Sequence, residues 1–201
     1  TFVVEDSARA KALVVGPGLA RTDETRDCTR RLAAAAPQPL VLDADGLHAL
    51  GQKQDAHTVL GTRMAPSLLT PHEGEFARIN GSPAGADRLA SARALAAATG
   101  ATVLLKGSTT IVADPGGKAI FATAGDSRLA SAGTGDVLSG VAGAFLAQGL
   151  DGLRAGAAAA FVHGAAGHLG WRRGLVAGDL LDLLPVVLNQ PPDSEAVIRV
   201  P

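Results

Sequence analysis

Gly133-Thr134-Gly135-Asp136 stands directly in front of the apolar run "VLSGVAGAFLAQG". A helix starting there leaves unpaired backbone N–H groups, and its dipole favours negative charge. The glycines let a ligand come close to the backbone. A carboxylate next to such an anion site suits a base that takes the proton from whatever attacks a bound phosphate. Read alone, the same four residues are a helix cap, so the rest of the chain has to decide.

Four other stretches carry side chains or turns of the same kind. They are Gly16-Pro17-Gly18, "LDADGL" with Asp43 and Asp45, "TPHEGE" with His72, Glu73 and Glu75, and "LLKGSTT" with Lys106. Each has a plain reading by itself: a tight turn, a helix cap, a surface histidine, a solvated lysine. Each also follows a short apolar run that reads as a buried strand: 12–15, 40–42, the "SLL" before Thr70, and "ATVLL". In a parallel sheet ligands bind at the carboxyl ends of the strands. Gly16, Asp43, His72, Lys106 and Asp136 are therefore expected along one edge.

The elements between them fit that sheet. "TRDCTRRLAAAA" has helical composition, and "GADRLASARALAAATG" carries a helical stripe that stops at Gly100. "TTIVADPGGKAIFAT" reads as a hairpin about Asp114-Pro115-Gly116-Gly117. Helices are expected at 136–148, about 150–169 and 178–184, and the end, "NQPPDSEAVIRVP", reads as a loosely held tail. Strands alternating with helices imply a mostly parallel sheet covered on both faces.

Composition narrows the classes. The chain has 201 residues, 47% of them hydrophobic, enough for one domain with a sizeable core. A net charge of −1, no basic run and 3% aromatics give no footing for nucleic acid. No apolar segment is long enough to span a bilayer. The one cysteine, Cys28, suits a reducing compartment, and no signal-peptide pattern follows Thr1, so the expected location is cytoplasmic. "GPGLAR" and "GTGDVLSG" lack the spacing of a dinucleotide fingerprint, and no Gly-Lys-Ser/Thr triplet makes a P-loop. His48, His57 and His168 read as surface histidines. His163, in a helix of small residues, reads as a packed one.

In order and composition, "VVGPGL", "VLDADGL", "LLTPHEGEF", "VLLKGSTTIV" and "LASAGTGDVLSGVAGAFLAQG" resemble the NAD(P)H-hydrate dehydratases, which have a ribokinase-like fold. The resemblance runs from about Ala12 to Trp171. The related vitamin and sugar kinases have a strand-end Asn-x-x-Glu where this chain has His72-Glu73-Gly74-Glu75, and that substitution favours the dehydratases. The resemblance implies a three-layer α/β fold in one domain over residues 1–201, without the N-terminal part of the family domain that helps form the substrate pocket. It implies a lyase that restores hydrated NAD(P)H (NADHX and NADPHX) with ADP or ATP as phosphoryl donor and Mg²⁺ as cofactor, ADP being favoured. Asp136 would be the catalytic base. Gly18, His72 and Asp136 would touch the hydrate, and Gly133, Thr134 and Gly135 would form the anion hole. Lys106, Gly107, Ser108, Thr109, Thr110 and Gly135 would hold the nucleotide, with Glu75 and Asp45 as candidates for the metal. A homo-oligomer, a tetramer in the family, and a partner or fused NAD(P)HX epimerase domain are further implications. "GDSRLA" departs from the family's usual approach to the anion hole, so no site role passes to residues 126–128. Two other readings stay open: a vitamin or sugar-alcohol kinase of the same fold, and a non-catalytic nucleotide-binding fragment.

Overall fold

In the computed structural model, which describes residues 7–190, six strands form one sheet in the order of the sequence. They are β1 (Leu13–Val15), β2 (Leu40–Leu42), β3 (Ser67–Leu69), β4 (Thr102–Leu105), β5 (Thr110–Ala113) and β6 (Ala119–Ala122). β1 to β4 run parallel, with Leu13 beside Leu40, Leu40 beside Ser67, and Leu68 beside Thr102. β5 and β6 then turn back antiparallel, β5 against β4 and β6 against β5, through the expected hairpin.

Parallel neighbours need crossovers, and here these are helical: α1 (Asp23–Ala35), then α2 (Ala44–Leu50) with α3 (Lys53–Leu60), then α4 (Glu73–Asn80) with α5 (Arg88–Thr99). When strands add in sequence order through crossovers of one hand, every crossover helix falls on the same face. Strand side chains alternate between faces, and the core divides accordingly. Leu40, Leu42, Leu69, Val103 and Leu105 pack with Leu47, Leu60, Phe76 and Leu95 of the crossover helices. Val41, Leu68, Leu104 and Val112 point the other way, onto Leu138, Ala142, Ala155 and Ala159. That second layer is C-terminal: α6 (Thr134–Ala147), α7 (Gly152–Leu169) and α8 (Ala177–Leu188). A sheet so covered is apolar on both faces, which is why its strands read as continuous runs such as "LVL" and not as alternation.

Three boundaries differ from the sequence reading. α6 begins at Thr134, two residues early, because Gly133 (φ +85°) makes the left-handed entry. α8 passes the proline that should have stopped it, with Pro185 in its interior; the Pro185 carbonyl then accepts the N–H of Asn189 at 3.1 Å to close the last turn. α2 and α3 form between Asp43 and Gly61 where no separate helices were expected. The expected tail falls, from residue 191 on, outside the described residues. Among the described residues no helix is long and apolar enough to cross a membrane.

Candidate functional site

The carboxyl ends of β1 to β4 do converge. β1 ends on Gly16, whose φ of +140° takes the chain so close to the next strand end that a Cβ would lie 1.7 Å from the Asp43 carbonyl oxygen. Asp43 follows β2 and is buried, 2% exposed. Its Oδ1 accepts the N–H of Ala44 at 2.9 Å and the ammonium of Lys106, which follows β4, at 3.0 Å. Its Oδ2 accepts from Ser139 Oγ of α6 at 2.7 Å, and Ser139 lies 3.4 Å from Thr70 Oγ1 at the end of β3. One carboxylate thus ties three strand ends to the helix on the far face.

His72 caps α4, its Nδ1 accepting from the N–H groups of Gly74 (3.0 Å) and Glu75 (3.4 Å). The buried Glu75 carboxylate returns the contact by accepting the His72 N–H at 2.9 Å, and also stands 3.7 Å from Lys106 Nζ. A capping box with histidine in the cap position holds its imidazole at the mouth of the site. Lys106 is thereby set between two carboxylates with its side chain 20% exposed.

The glycine-rich start of α6 faces this network. A Cβ on Gly135 would stand 3.6 Å from Lys106 Nζ and 3.8 Å from Asp43 Oδ2. Thr134 is turned inward, its hydroxyl donating to the carbonyls of Leu129 (2.6 Å) and Ser131 (2.8 Å), which fixes the approach to the helix. The Thr134 and Asp136 N–H groups turn back to Ser131 O at 3.4 Å and Gly133 O at 3.1 Å. The Asp136 side chain is exposed and, among the described residues, has no hydrogen-bond or ion-pair partner.

Between the two regions opens a cavity of about 980 Å³. Of the expected residues, His72, Lys106, Gly107, Ser108, Thr110, Thr134 and Gly135 line it. Thr109 turns its carbonyl to Arg88, and Gly18, Gly133 and Asp136 stand outside the cavity lining. Asp126, to which no role was assigned, is on the wall. Arg128 donates to it from Nε at 2.9 Å and holds its carboxyl down, to about pKa 2, while also bonding the carbonyls of His168 and Gly170.

Asp45 and Glu75, the two metal candidates, are already engaged: Asp45 accepts from Arg21 at 2.7 Å, and Glu75 faces Lys106 and the His72 N–H. No group of three His, Cys, Asp or Glu that could cage a cation occurs among the described residues. This donor set does not fit a dedicated magnesium site.

Arg88, Ser139 and Thr70 were not anticipated as site residues. Arg88 pins the loop after β4 by donating to the carbonyls of Thr109 (2.8 Å) and Lys106 (3.1 Å) and to Glu73 (2.8 Å). Nothing in the local sequence marks it. Ser139 left one trace, a lone hydroxyl in an otherwise apolar helical run.

Known proteins are similar to this chain in sequence and fold. The family model described as NAD(P)H-hydrate dehydratase matches residues 1–186. A bifunctional NAD(P)H-hydrate repair enzyme Nnr of Mycobacterium tuberculosis is 51% identical over 144 residues, 72% of this chain and 30% of that protein. The chain thus spans about a third of the length of such curated relatives. An ADP/ATP-dependent NAD(P)H-hydrate dehydratase of Bacillus subtilis, crystallised with ATP/Mg²⁺, superposes with a TM-score of 0.78 at 31% identity, over 92% of this chain and 68% of that one. A ribokinase-like superfamily protein of Enterococcus faecalis, 22% identical, shares the fold with a TM-score of 0.76 over 93% of this chain and 66% of its own. With the motifs, the strand-end geometry and the match over nearly its whole length, this chain belongs to the NAD(P)H-hydrate dehydratase family.

Proposed function

We propose that this chain carries the nucleotide-dependent dehydration of hydrated NAD(P)H. The observation that supports it best is the pairing of Lys106, fixed between Asp43 and Glu75, with a helix N-terminus whose first-turn carboxylate, Asp136, has no partner among the described residues. A phosphate site alone would not benefit from that carboxylate; a phosphoryl transfer to a hydroxyl would.

The hydrate carries a ring hydroxyl, and hydroxide is a poor leaving group. Asp136 takes the hydroxyl proton as the oxygen attacks the terminal phosphorus of ADP or ATP. The new P–O bond forms while the bond to the remaining nucleotide breaks. The Gly133–Gly135 backbone and Lys106 stabilise the charge on the transferred group. Phosphate then leaves with the electron pair of the C–O bond, the neighbouring C–H gives its proton to the departing phosphate, and the double bond of NAD(P)H is restored. His72 and Gly18 orient the hydrate, and 106–110 hold the nucleotide with Arg88 as brace. Any Mg²⁺ would be held by the phosphates of the nucleotide and not by a cage of protein carboxylates, and would supply neutralisation of their charge. ADP is the donor favoured by resemblance to bacterial members of the family.

The test is incubation of hydrated NADH with this chain and ADP or ATP, following the nicotinamide absorbance. Its return only with nucleotide is the expected result. A stable phosphorylated product from a vitamin or sugar alcohol, with the hydrate untouched, would instead identify a kinase of this fold. Nucleotide binding with neither reaction would leave a binding module.

A further inference from the structure

Two carboxylates line the cavity, Glu73 and Asp126, while the arginines paired with them, Arg88 and Arg128, lie outside its lining. Glu73 adjoins His72, and its arginine braces the loop after β4. Asp126 belongs to another part of the wall. β6 runs in the direction of β4, since both are antiparallel to β5, so the two strands finish on the same edge. Thr110 pairs with Ala122, and both line the cavity with Lys106. Neighbouring strands lie about 4.8 Å apart, which puts the end of β6 roughly 10 Å across that edge from the end of β4. Asp126 stands in the segment just beyond β6.

Its contacts decide what it presents there. Arg128 spends its donors inside the protein: Nη1 on the carbonyls of His168 (3.0 Å) and Gly170 (3.2 Å), Nη2 on Asp126 and on His168 Nδ1, and Nε on Asp126. The Arg128 side chain is 13% exposed and that of Asp126 is 38% exposed, so the carboxylate is the more open member of the pair. Asp126 Oδ1 accepts the Arg128 backbone N–H, Oδ2 accepts from Nη2, and the Nε–H is shared between the two oxygens. Three N–H groups on about four acceptor sites leave one. Capping the turn Ser127–Leu129 explains the bond to the backbone N–H, but a serine would cap as well. Capping does not account for a charged side chain left half open on the wall of a cavity large enough for a ligand.

An ionised carboxylate repels phosphate and accepts from hydroxyl groups. The phosphates of a nucleotide have Lys106 and the α6 N-terminus. Some 10 Å away (about two strand spacings) is the distance at which the sugar of the same nucleotide falls. Dinucleotide-binding folds use a carboxylate on a ribose hydroxyl in the same way.

We propose that Asp126 recognises the ribose of the donor nucleotide, its free acceptor site taking a hydrogen bond from the 2′ or 3′ hydroxyl, with Arg128 as the positioning residue behind it. This rests on the reading of the cavity as the nucleotide site. The contact fixes the sugar relative to the phosphates, and it selects ribonucleotides over deoxyribonucleotides.

Calorimetry on this chain tests it with ADP, its 2′-deoxy and 3′-deoxy analogues, and inorganic pyrophosphate. The wild-type chain should bind ADP, and one of the two analogues should bind roughly tenfold more weakly or worse, as for a hydrogen bond to a charged group. Asp126→Ala should lose the same factor for ADP and nothing further for that analogue, with pyrophosphate unmoved. Equal binding of ADP and both analogues by the wild-type chain overturns the proposal, and that arm depends on no variant folding. An unchanged ADP affinity in folded Asp126→Ala overturns it as well. So does a loss as large for the sensitive analogue or for pyrophosphate as for ADP, because that marks a role in the shape of the loop alone. Failure of the folded wild-type chain to bind any adenine nucleotide would instead bring down the underlying reading of the cavity.

Discussion

Two aspartates, Asp43 and Asp136, stand on either side of the same glycine, Gly135, and the molecule treats them in opposite ways. Asp43 is buried, and its two oxygens accept from a lysine, a serine and a backbone N–H. Asp136 is exposed and, among the described residues, unpartnered. A carboxylate whose lone pairs are all engaged is a structural anchor and a poor base. One with none engaged contributes nothing to the fold beyond a favourable place in a helix's first turn. The strand-end network is thus the rigid half of the site, and the α6 N-terminus is the half left free to react.

The sharpest break would come at Asp136. Asp136 lies in the first turn and not at the cap, so Asp136→Asn gives up only the dipole interaction, about 0.3–1 kcal/mol, and should unfold within a few degrees of the wild-type chain. It cannot take the proton, and kcat for hydrate repair should fall by roughly 10²–10⁴-fold. Nucleotide affinity, measured alongside by calorimetry, should hardly move because the backbone N–H groups remain. Normal turnover would return the glycine-rich stretch to a plain helix cap.

Asp43 should show the reverse emphasis. Asp43→Ala leaves Lys106 and Ser139 without their acceptor, and should cost on the order of 3 kcal/mol in a denaturant titration, as breaking a buried pair does. A variant as stable as the wild-type chain would mean the network is not the anchor described above.

The cavity wall adds a pH test. His163 has a folded value of about 4, below its ordinary 6.5. As pH falls through 6.5 the unfolded chain takes up the proton first, so stability is full above that value and is lost toward pH 4. Going from neutral pH to about pH 5 should cost roughly 2 kcal/mol through this group. Asp126, held near 2, stays ionised throughout that window. Chemical denaturation at both pH values checks this, and His163→Gln should flatten the dependence. The same loss in that variant would assign it to other groups.

Arg88 belongs with the rigid half. Arg88→Ala frees the carbonyls of Lys106 and Thr109 and loosens the loop under the nucleotide, so ADP should bind about tenfold more weakly with little change in the hydrate's KM. An unaltered ADP affinity would show that the loop holds its shape alone.

Much of this was legible in the sequence, for local reasons. β2 and the β5–β6 hairpin could be read because apolar runs and Asp-Pro-Gly-Gly carry their own structural preference. The site edge could be read because four of the five chemical motifs followed such a run and the fifth opened a helix. The network itself could not: Asp43 joins residues 63 and 96 positions away, and no periodicity links Lys106 or Ser139 to it. α2 and α3 escaped notice because they are short and begin at polar residues, Asp43 being read as a cap without the helix it caps. His163 read as packed, which its burial bears out, but its missing partner exists only in three dimensions.

The most direct measurement of the central claim is stoichiometric: phosphate released against NADH recovered, from hydrated NADH and ADP or ATP, in one reaction. Phosphorylation followed by elimination predicts one phosphate for each NADH and none of either without nucleotide. NADH recovered without nucleotide, or nucleotide consumed with the phosphoryl group kept on a stable product, would contradict it.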